Sequence, residues 1–358
     1  MLKTVLKKIL SQPLIEKLKL LREKIDTKLA IMASRFRFSS ALYYLIFSQE
    51  FRREMQSVLL ARKRYHQSRS GHSPDSYSLR RNIHRLEKGL IMYPRRPVFG
   101  EGYILETMTF WELCLVSGRL SDTELSWIIA VTSEYFAKVA PTAITEAARL
   151  IRESIIDELT EVNAEKDHAP AVYASLTGSD INFDQFSALC KNRHSVRWFE
   201  PRRVSRELLD AAVNVAITAP SACNRQPFKF YVFNEPARAQ SLGSIPMGTA
   251  GFAHNFQAIV VIVGDLSAYP YEKDRHIIYI DSGLAAMQFQ LALETQGLGS
   301  CTINWPDIER HEQKMATELS LMPYERPVML VAVGYPLAQG KIPYSAKKDA
   351  KDVVVRPE

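Results

Sequence analysis

Three six-residue runs rich in β-branched and aromatic residues, Phe228–Phe233, Ala258–Val263 and Val328–Val333, constrain the fold of this chain more than any other feature. Each is too short for a core helix and most end at Pro or Gly, as buried strands do. All three fall after residue 181, and the stretches between them have helical periodicity. Ser205 is placed to cap a helix with Leu209, Ala212, Val213 and Ala216 on one face, and Glu207 sits favourably in its first turn. A second helix is predicted from about Ser282 to Thr295. Its Leu284, Met287 and Leu291, with Ala285, Phe289 and Ala292, cover most of the circumference, which calls for burial in the core or at a subunit interface.

Before residue 181 the pattern is helical. From 79 to about 160, apolar clusters such as Trp111–Val116 and Leu125–Ile129 recur between polar residues. Residues 1–30 are basic, with apolar positions at Leu2, Val5, Leu6, Ile9 and Leu10, then Leu14, Ile15, Leu18 and Leu21, broken at Gln12-Pro13. The Ser-, Gly- and Pro-rich stretch 68–78 reads as a loop, and Thr160–Asp180 as a linker. The 358 residues, 46% of them hydrophobic, suffice for two domains. The expected organisation is a basic helical N-terminal domain over 1–170 and a second domain over 181–358. The class is α+β, a central mixed sheet flanked by helices and preceded by the helical domain.

Composition excludes several classes. The longest apolar runs, such as Ala41–Phe47, fall far short of the roughly 20 residues that cross a bilayer. The first residues lack an apolar h-region and a small-residue cleavage site, so the expected location is the cytoplasm. Cys114, Cys190, Cys223 and Cys301 stand far apart, as reduced thiols do, and no structural metal is expected. Residues 1–64 hold 15 Lys/Arg against 5 Asp/Glu, a net of +10 in a chain of +7, so the basic character belongs to the N-terminus. A lysine-rich amphipathic helix can lie peripherally on an anionic membrane, although packing its stripe on a partner or its own domain is the commoner use. The basic tract lacks a nucleic-acid reading motif, and no nucleic-acid partner is expected.

Two polar tracts carry the chemistry. In Arg193-His194-Ser195-Val196-Arg197, residues 193, 195 and 197 share a side when extended, so two forked guanidiniums and a hydroxyl can clamp a phosphate. The same alternation also suits the solvated face of an edge strand. In Pro220-Ser221-Ala222-Cys223-Asn224-Arg225-Gln226-Pro227, two prolines bracket Ser221, Asn224 and Gln226. Their amides offer the donors and acceptors a heterocycle requires, while an ordinary helix-to-strand loop uses the same residues.

These tracts, followed by the apolar helix, Gly297-Leu298-Gly299-Ser300-Cys301 and Val333-Gly334-Tyr335-Pro336 with a basic tail, resemble the nitroreductase family of FMN-dependent oxidoreductases over residues 181–358. The resemblance implies that Arg193, Ser195 and Arg197, backed by His194, hold the FMN phosphate. It further implies that Ser221, Asn224 and Gln226 line the flavin ring with Pro220 and Ala222 shaping the backbone, and that Gly299 belongs to the cofactor site. It calls for a basic residue after the last strand, for which Lys341, Lys347 and Lys348 are candidates. It implies a homodimer whose subunits jointly build each site, and hydride transfer from transient NAD(P)H through the flavin to a quinone, nitro compound or activated double bond. No catalytic acid or base is named, because the cofactor performs the chemistry.

Two departures from the family pattern stand out. Many members have an acidic-glycine step after the Gly-Leu-Gly turn where this chain reads Thr302-Ile303-Asn304-Trp305-Pro306, and Gln240–Gln257 is short for a helical lid. No GxGxxG follows a strand, which argues against a separate dinucleotide fold. His194, His254, His276 and His311 sit in no nucleophile motif. On the N-terminal side, Arg81, Arg85 and Lys88 share a helix face that suits a phosphate, a sugar nucleotide or an acidic polysaccharide, or simply solvent. That segment looks like those preceding nitroreductase-like domains in surface-polysaccharide gene clusters. Two alternatives stay open: a flavin-dependent dehydrogenase or dehalogenase of one metabolite, and a non-catalytic partner protein in polysaccharide assembly.

Overall fold

The computed structural model describes residues 12–71, 75–159 and 168–357. The apolar positions Leu2 to Leu10, and parts of the 68–78 loop and the 160–180 linker, lie outside them. By contacts the chain divides into two compact units, one ending at Gln56 and one beginning at Ser57. The described part of the first holds α1 (Gln12–Ala33), α2 (Arg37–Ile46) and the first turn of α3 (Arg52–Arg69).

The second unit contains a helical body and a sheet. The body is built from α4 (Tyr77–Leu90), α5 (Ile104–Val116), α6 (Asp122–Lys138) and α7 (Ala143–Asp157), as the periodicity predicts. Leu79, Ile83 and Leu86 of α4 meet Ile104, Met108 and Trp111 of α5 and Ile128, Val131 and Tyr135 of α6 in a sealed core. The recurring spacing of three or four residues makes one buried face on each helix. A capping box at Ser121 and Glu124 starts α6.

The sheet has the order β1 (Phe228–Phe233), β2 (Ala258–Asp265), β4 (Glu325–Gly334), β3 (Gly299–Asn304). All adjacent pairs of these strands are antiparallel. The mixed character expected of the sheet resides at its edge, where Ser195 bridges Ser300 in parallel. Strand alternation divides the core in two. Ala258, Val260, Ile262, Val331 and Val333 face α9 (Arg206–Ala216) and α11 (Ile277–Thr295), while Ile259, Val261, Val263, Leu330 and Ala332 face α10 (Pro236–Gly243) and α12 (Glu309–Leu319). The remaining helices are α8 (Phe183–Asn192) and the short α13 (Ala350–Val353).

Among the described residues each predicted helix forms, and Ser205 Oγ accepts from the Leu208 N–H that begins α9. Helix α11 starts five residues before its predicted limit and is buried along Ile278, Ala285, Phe289 and Leu293. Gly264 allows its close approach, since a Cβ there would stand 2.7 Å from Ile278 Cβ. On the opposite face, Arg326 of β4 donates through Nε to Glu312 of α12 at 3.1 Å and through Nη2 to Asp307 at 2.9 Å, and Trp305 Nε1 donates to Glu312 at 2.6 Å. Arg326 and Glu312 are sealed from solvent, and removing one partner of such a pair leaves a buried charge uncompensated. Glu312→Ala is therefore expected to cost about 3 kcal/mol. Urea unfolding of the full chain measures this, and an unchanged midpoint would show that the pair does not hold α12.

Candidate functional site

The arginine tract runs along the sheet edge beside β3. Val196 N–H donates to Ser300 O at 2.9 Å, and further on Glu200 N–H donates to Tyr335 O at 2.8 Å. Val196 and Phe199 turn into the core, leaving Arg193, Ser195 and Arg197 half-buried at the rim. Asn255 fixes the strand from behind: its Oδ1 accepts from Phe199 N–H at 2.9 Å and its Nδ2 donates to Arg197 O at 3.0 Å. Burial raises the Cys301 thiol pKa, and the guanidiniums of Arg197 and Arg193 both oppose that rise. His194 instead turns back on its own chain, with Nδ1 2.5 Å from Asn192 O.

Gly299 lies under this tract as a packing position. A Cβ there would fall 2.9 Å from Val196 and 3.0 Å from Pro336, so its lack of a side chain lets the tract and the segment after β4 meet. Leu337 N–H donates to Trp198 O at 3.0 Å, which brings the basic tail out at the same corner. Lys341 follows at once, while Lys347 and Lys348 lie farther along an exposed segment.

The proline-bracketed loop stands at the other corner, between α9 and β1. Cys223, Asn224 and Gln226 have φ of 55°, 52° and 49°, a left-handed conformation that costs non-glycine residues energy unless the surroundings impose it. Several contacts impose it. Asp281 of α11 accepts from Ala222 N–H at 3.0 Å and from the Tyr269 hydroxyl at 3.3 Å. Arg80 of α4 donates through Nε to Asn224 O at 2.8 Å. Within the loop, Ser221 Oγ accepts from Gln226 N–H at 3.1 Å and Gln226 Nε2 donates to Asn224 Oδ1 at 3.3 Å, which gathers the three expected ring-lining side chains into one cluster.

The two clusters do not meet within one chain. Through the paired strands, Ser195 is in register with Ala258 at one end of β2, and Phe228 with Gly264 at the other. Six residues of rise and four strand spacings put the corners on the order of 25 Å apart. Helix α11 is an independent ruler: Asp281 holds the loop near its start, and its last turn leads towards β3, roughly 20 Å away at 1.5 Å per residue.

A cavity of about 1030 Å³ opens beside the loop corner, lined in part by Arg64, Asp75, Tyr77, Lys229, Asp265 and Tyr324. Asp265 N–H donates to Pro227 O at 2.8 Å, and its carboxylate accepts from the Tyr77 hydroxyl at 3.0 Å. Burial raises the pKa of both Asp75 and Asp265. Neither this cavity nor the roles of Asp281, Tyr269, Arg80 and Asn255 leave a local signal in the sequence. Of the N-terminal cations sharing a helix face, Arg81 donates to the Tyr65 hydroxyl at 3.1 Å and Arg85 stacks on Tyr103 with 3.5 Å to the ring centre.

The C-terminal half carries a nitroreductase-family domain: the model described as the Nitroreductase family matches residues 190–246 and 237–335. Among curated relatives, YdgI of Bacillus subtilis, provisionally named an NAD(P)H nitroreductase, is 24% identical over 46% of this chain and 94% of its own length. The CLA biosynthesis enone reductase of Lactiplantibacillus plantarum is 35% identical over 29% of this chain, which spans 49% of that relative. Among solved structures, the FMN-dependent nitroreductase of Clostridium difficile R20291 aligns with a TM-score of 0.41 at 24% identity, over 48% of this chain and 98% of its own.

Burial also raises the Asp281 carboxyl pKa, against the opposing pull of the Ala222 N–H, the Tyr269 hydroxyl and Arg225. A carboxyl raised in the folded state contributes stability that is complete below its unfolded value of about 4. That contribution is lost as pH rises through the higher folded value. Asp281→Asn removes the titration, so beyond any constant offset the variant should gain thermal stability relative to the parent as pH rises from about 4 towards neutrality. A difference between the two proteins that is flat with pH would contradict this.

Proposed function

We propose that the protein is an FMN-dependent oxidoreductase that passes hydride from NAD(P)H through the flavin to an organic acceptor. We further propose that it works as a homodimer in which the arginine tract of one chain and the amide loop of the other hold the same flavin. The separation of the two tracts carries this reading. Each has the donor set for one end of FMN, two guanidiniums and a hydroxyl at one corner and a cluster of amides at the other, yet the span exceeds what one mononucleotide bridges. The outer face of α11 supports a paired state, since Ile280, Leu284 and Met287 are exposed at spacings of four and three beside exposed Val215 of α9 and Ile217 just past its end.

Bound FMN would supply the two-electron chemistry, and this chain's residues position it. Arg193 and Arg197, with Ser195, would hold the phosphate through charge-assisted hydrogen bonds, and Lys341, Lys347 or Lys348 would add a further cation. Ser221, Asn224 and Gln226, fixed by Asp281 and Arg80, would present donors and acceptors to the ring edge without reorganising when charge develops there. The Cys301 thiol, its pKa raised by burial, is not placed to act as a nucleophile. The name of the Bacillus relative supports NAD(P)H as donor, and that of the Lactiplantibacillus relative supports an activated double bond among the acceptors, beside quinones and nitro compounds.

The visible spectrum of the purified protein should show flavin bands, with FMN released on denaturation. Replacing both Arg193 and Arg197 by Ala should weaken FMN binding at least tenfold, roughly one charge-assisted hydrogen bond's worth, without unfolding the protein. A chain carrying that pair of substitutions, co-expressed with one carrying Asn224→Ala and Gln226→Ala, should regain flavin that neither binds alone, because a mixed dimer contains one intact site. Failure of the mixture to recover flavin, with mixed dimers demonstrated, would place the whole site in one chain.

A further inference from the structure

The α1–α2 hairpin is built with its polar residues inward. The Ser39 and Ser40 hydroxyls of α2 donate to Ala33 O at the end of α1 at 2.7 and 2.9 Å, and the Tyr43 hydroxyl donates to Asp26 Oδ1 at 2.7 Å. The apolar side chains point away from this contact. Phe38, Leu42 and Leu45, spaced four and three apart on α2, are exposed, Phe38 to 81%. On α1, Leu14, Leu18, Leu21, Ile25 and Met32 form a second exposed stripe, and Phe36 and Phe47 are exposed at the ends of α2. Such a surface costs free energy in water unless something covers it.

Charge selects what covers it. At 100° per residue, Lys17, Lys24 and Lys28 line one flank of the α1 stripe and Arg22 the other, while Glu16 and Glu23 fall on the opposite side of the helix. Pairing two copies stripe to stripe would set Lys17 and Lys24 against Arg22, like charges at the positions that decide coiled-coil partnering. A negatively charged occupant removes that cost. The aromatic side chains add a broad face, wider than the narrow seam a partner helix uses, and suit the boundary between head groups and acyl chains. No described helix is long and apolar enough to cross a membrane, so the geometry is that of a helix pair lying on a surface. We propose that the α1–α2 hairpin docks this protein on an anionic lipid surface, inserting the outward apolar side chains and placing its lysines and arginines among the head groups.

Co-sedimentation of the full chain with vesicles tests this without reference to flavin or activity. The protein should pellet with vesicles of mixed phosphatidylglycerol and phosphatidylcholine and remain in solution with phosphatidylcholine alone. Phe38→Asp with Leu45→Asp should weaken binding by at least about tenfold, the loss expected for two apolar side chains kept from burial. Replacing Lys17, Lys24 and Lys28 by Gln should weaken it too and flatten its salt dependence. Circular dichroism matching the parent shows that the variants fold, and the lysine set tests the proposal independently if the acidic variant does not. A parent protein that stays in solution with anionic vesicles at low salt overturns the proposal, as does undiminished binding by a folded Phe38→Asp, Leu45→Asp variant. So does a parent dimer that this variant dissociates while neither form binds vesicles, an outcome that assigns the face to a second copy.

Discussion

The close seating of α11 on the sheet is the constraint on which the rest of the second unit depends. Where Gly264 meets Ile278 no side chain fits between helix and strand, so the helix lies directly against β2 with its small and apolar residues inward. With the helix fixed there, Asp281 is fixed as well, and through it the loop that must hold three residues in a left-handed backbone. The far end of the same helix leads into β3, against which the arginine tract is bridged. One rigid element therefore sets both the position of each polar cluster and the distance between them.

Much of this was legible in the sequence, and for physical reasons. β1, β2 and β4 are continuous runs of β-branched and aromatic residues because both faces of the sheet are covered, and α9 announces itself through a serine cap and an apolar face. β3 escaped notice. As an edge strand reading Gly-Ser-Cys-Thr-Ile-Asn it needs apolar residues on little of its length, and its small residues look like part of the preceding turn. What makes Gly299 and Ser300 strand residues is the tract across from them, a pairing that no local pattern records.

The candidate site was legible as a list of residues and illegible as an arrangement. The helix predicted from its Ser205 cap forms between the two tracts as α9, but a helix over a sheet carries the chain across as well as along, and the tracts arrive at opposite corners. The residues that hold the loop in shape were beyond a linear reading. Asp281 sits in a helix whose pattern is dominated by apolar residues, Tyr269 follows a strand, and Arg80 belongs to the helical half, on the helix that also carries Arg81, Arg85 and Lys88. Asp281 and Arg80 act through backbone groups of the loop and Tyr269 through Asp281, and backbone groups leave no trace in composition.

The reach of Arg80 has a consequence for how the two halves can be separated or exchanged. Its guanidinium is held by Glu124 at 2.6 Å, lies 5.4 Å from the Trp127 ring centre and contributes its Nε to the carbonyl of Asn224. The conformation of that loop is thus partly specified by α4 and α6, more than eighty residues earlier in the chain. Grafting the sheet-bearing half onto a different helical partner would leave the Asn224 carbonyl without this donor and the left-handed backbone with one restraint fewer. The helical half is in this sense part of the loop's mould, and the two are not interchangeable modules joined by a linker.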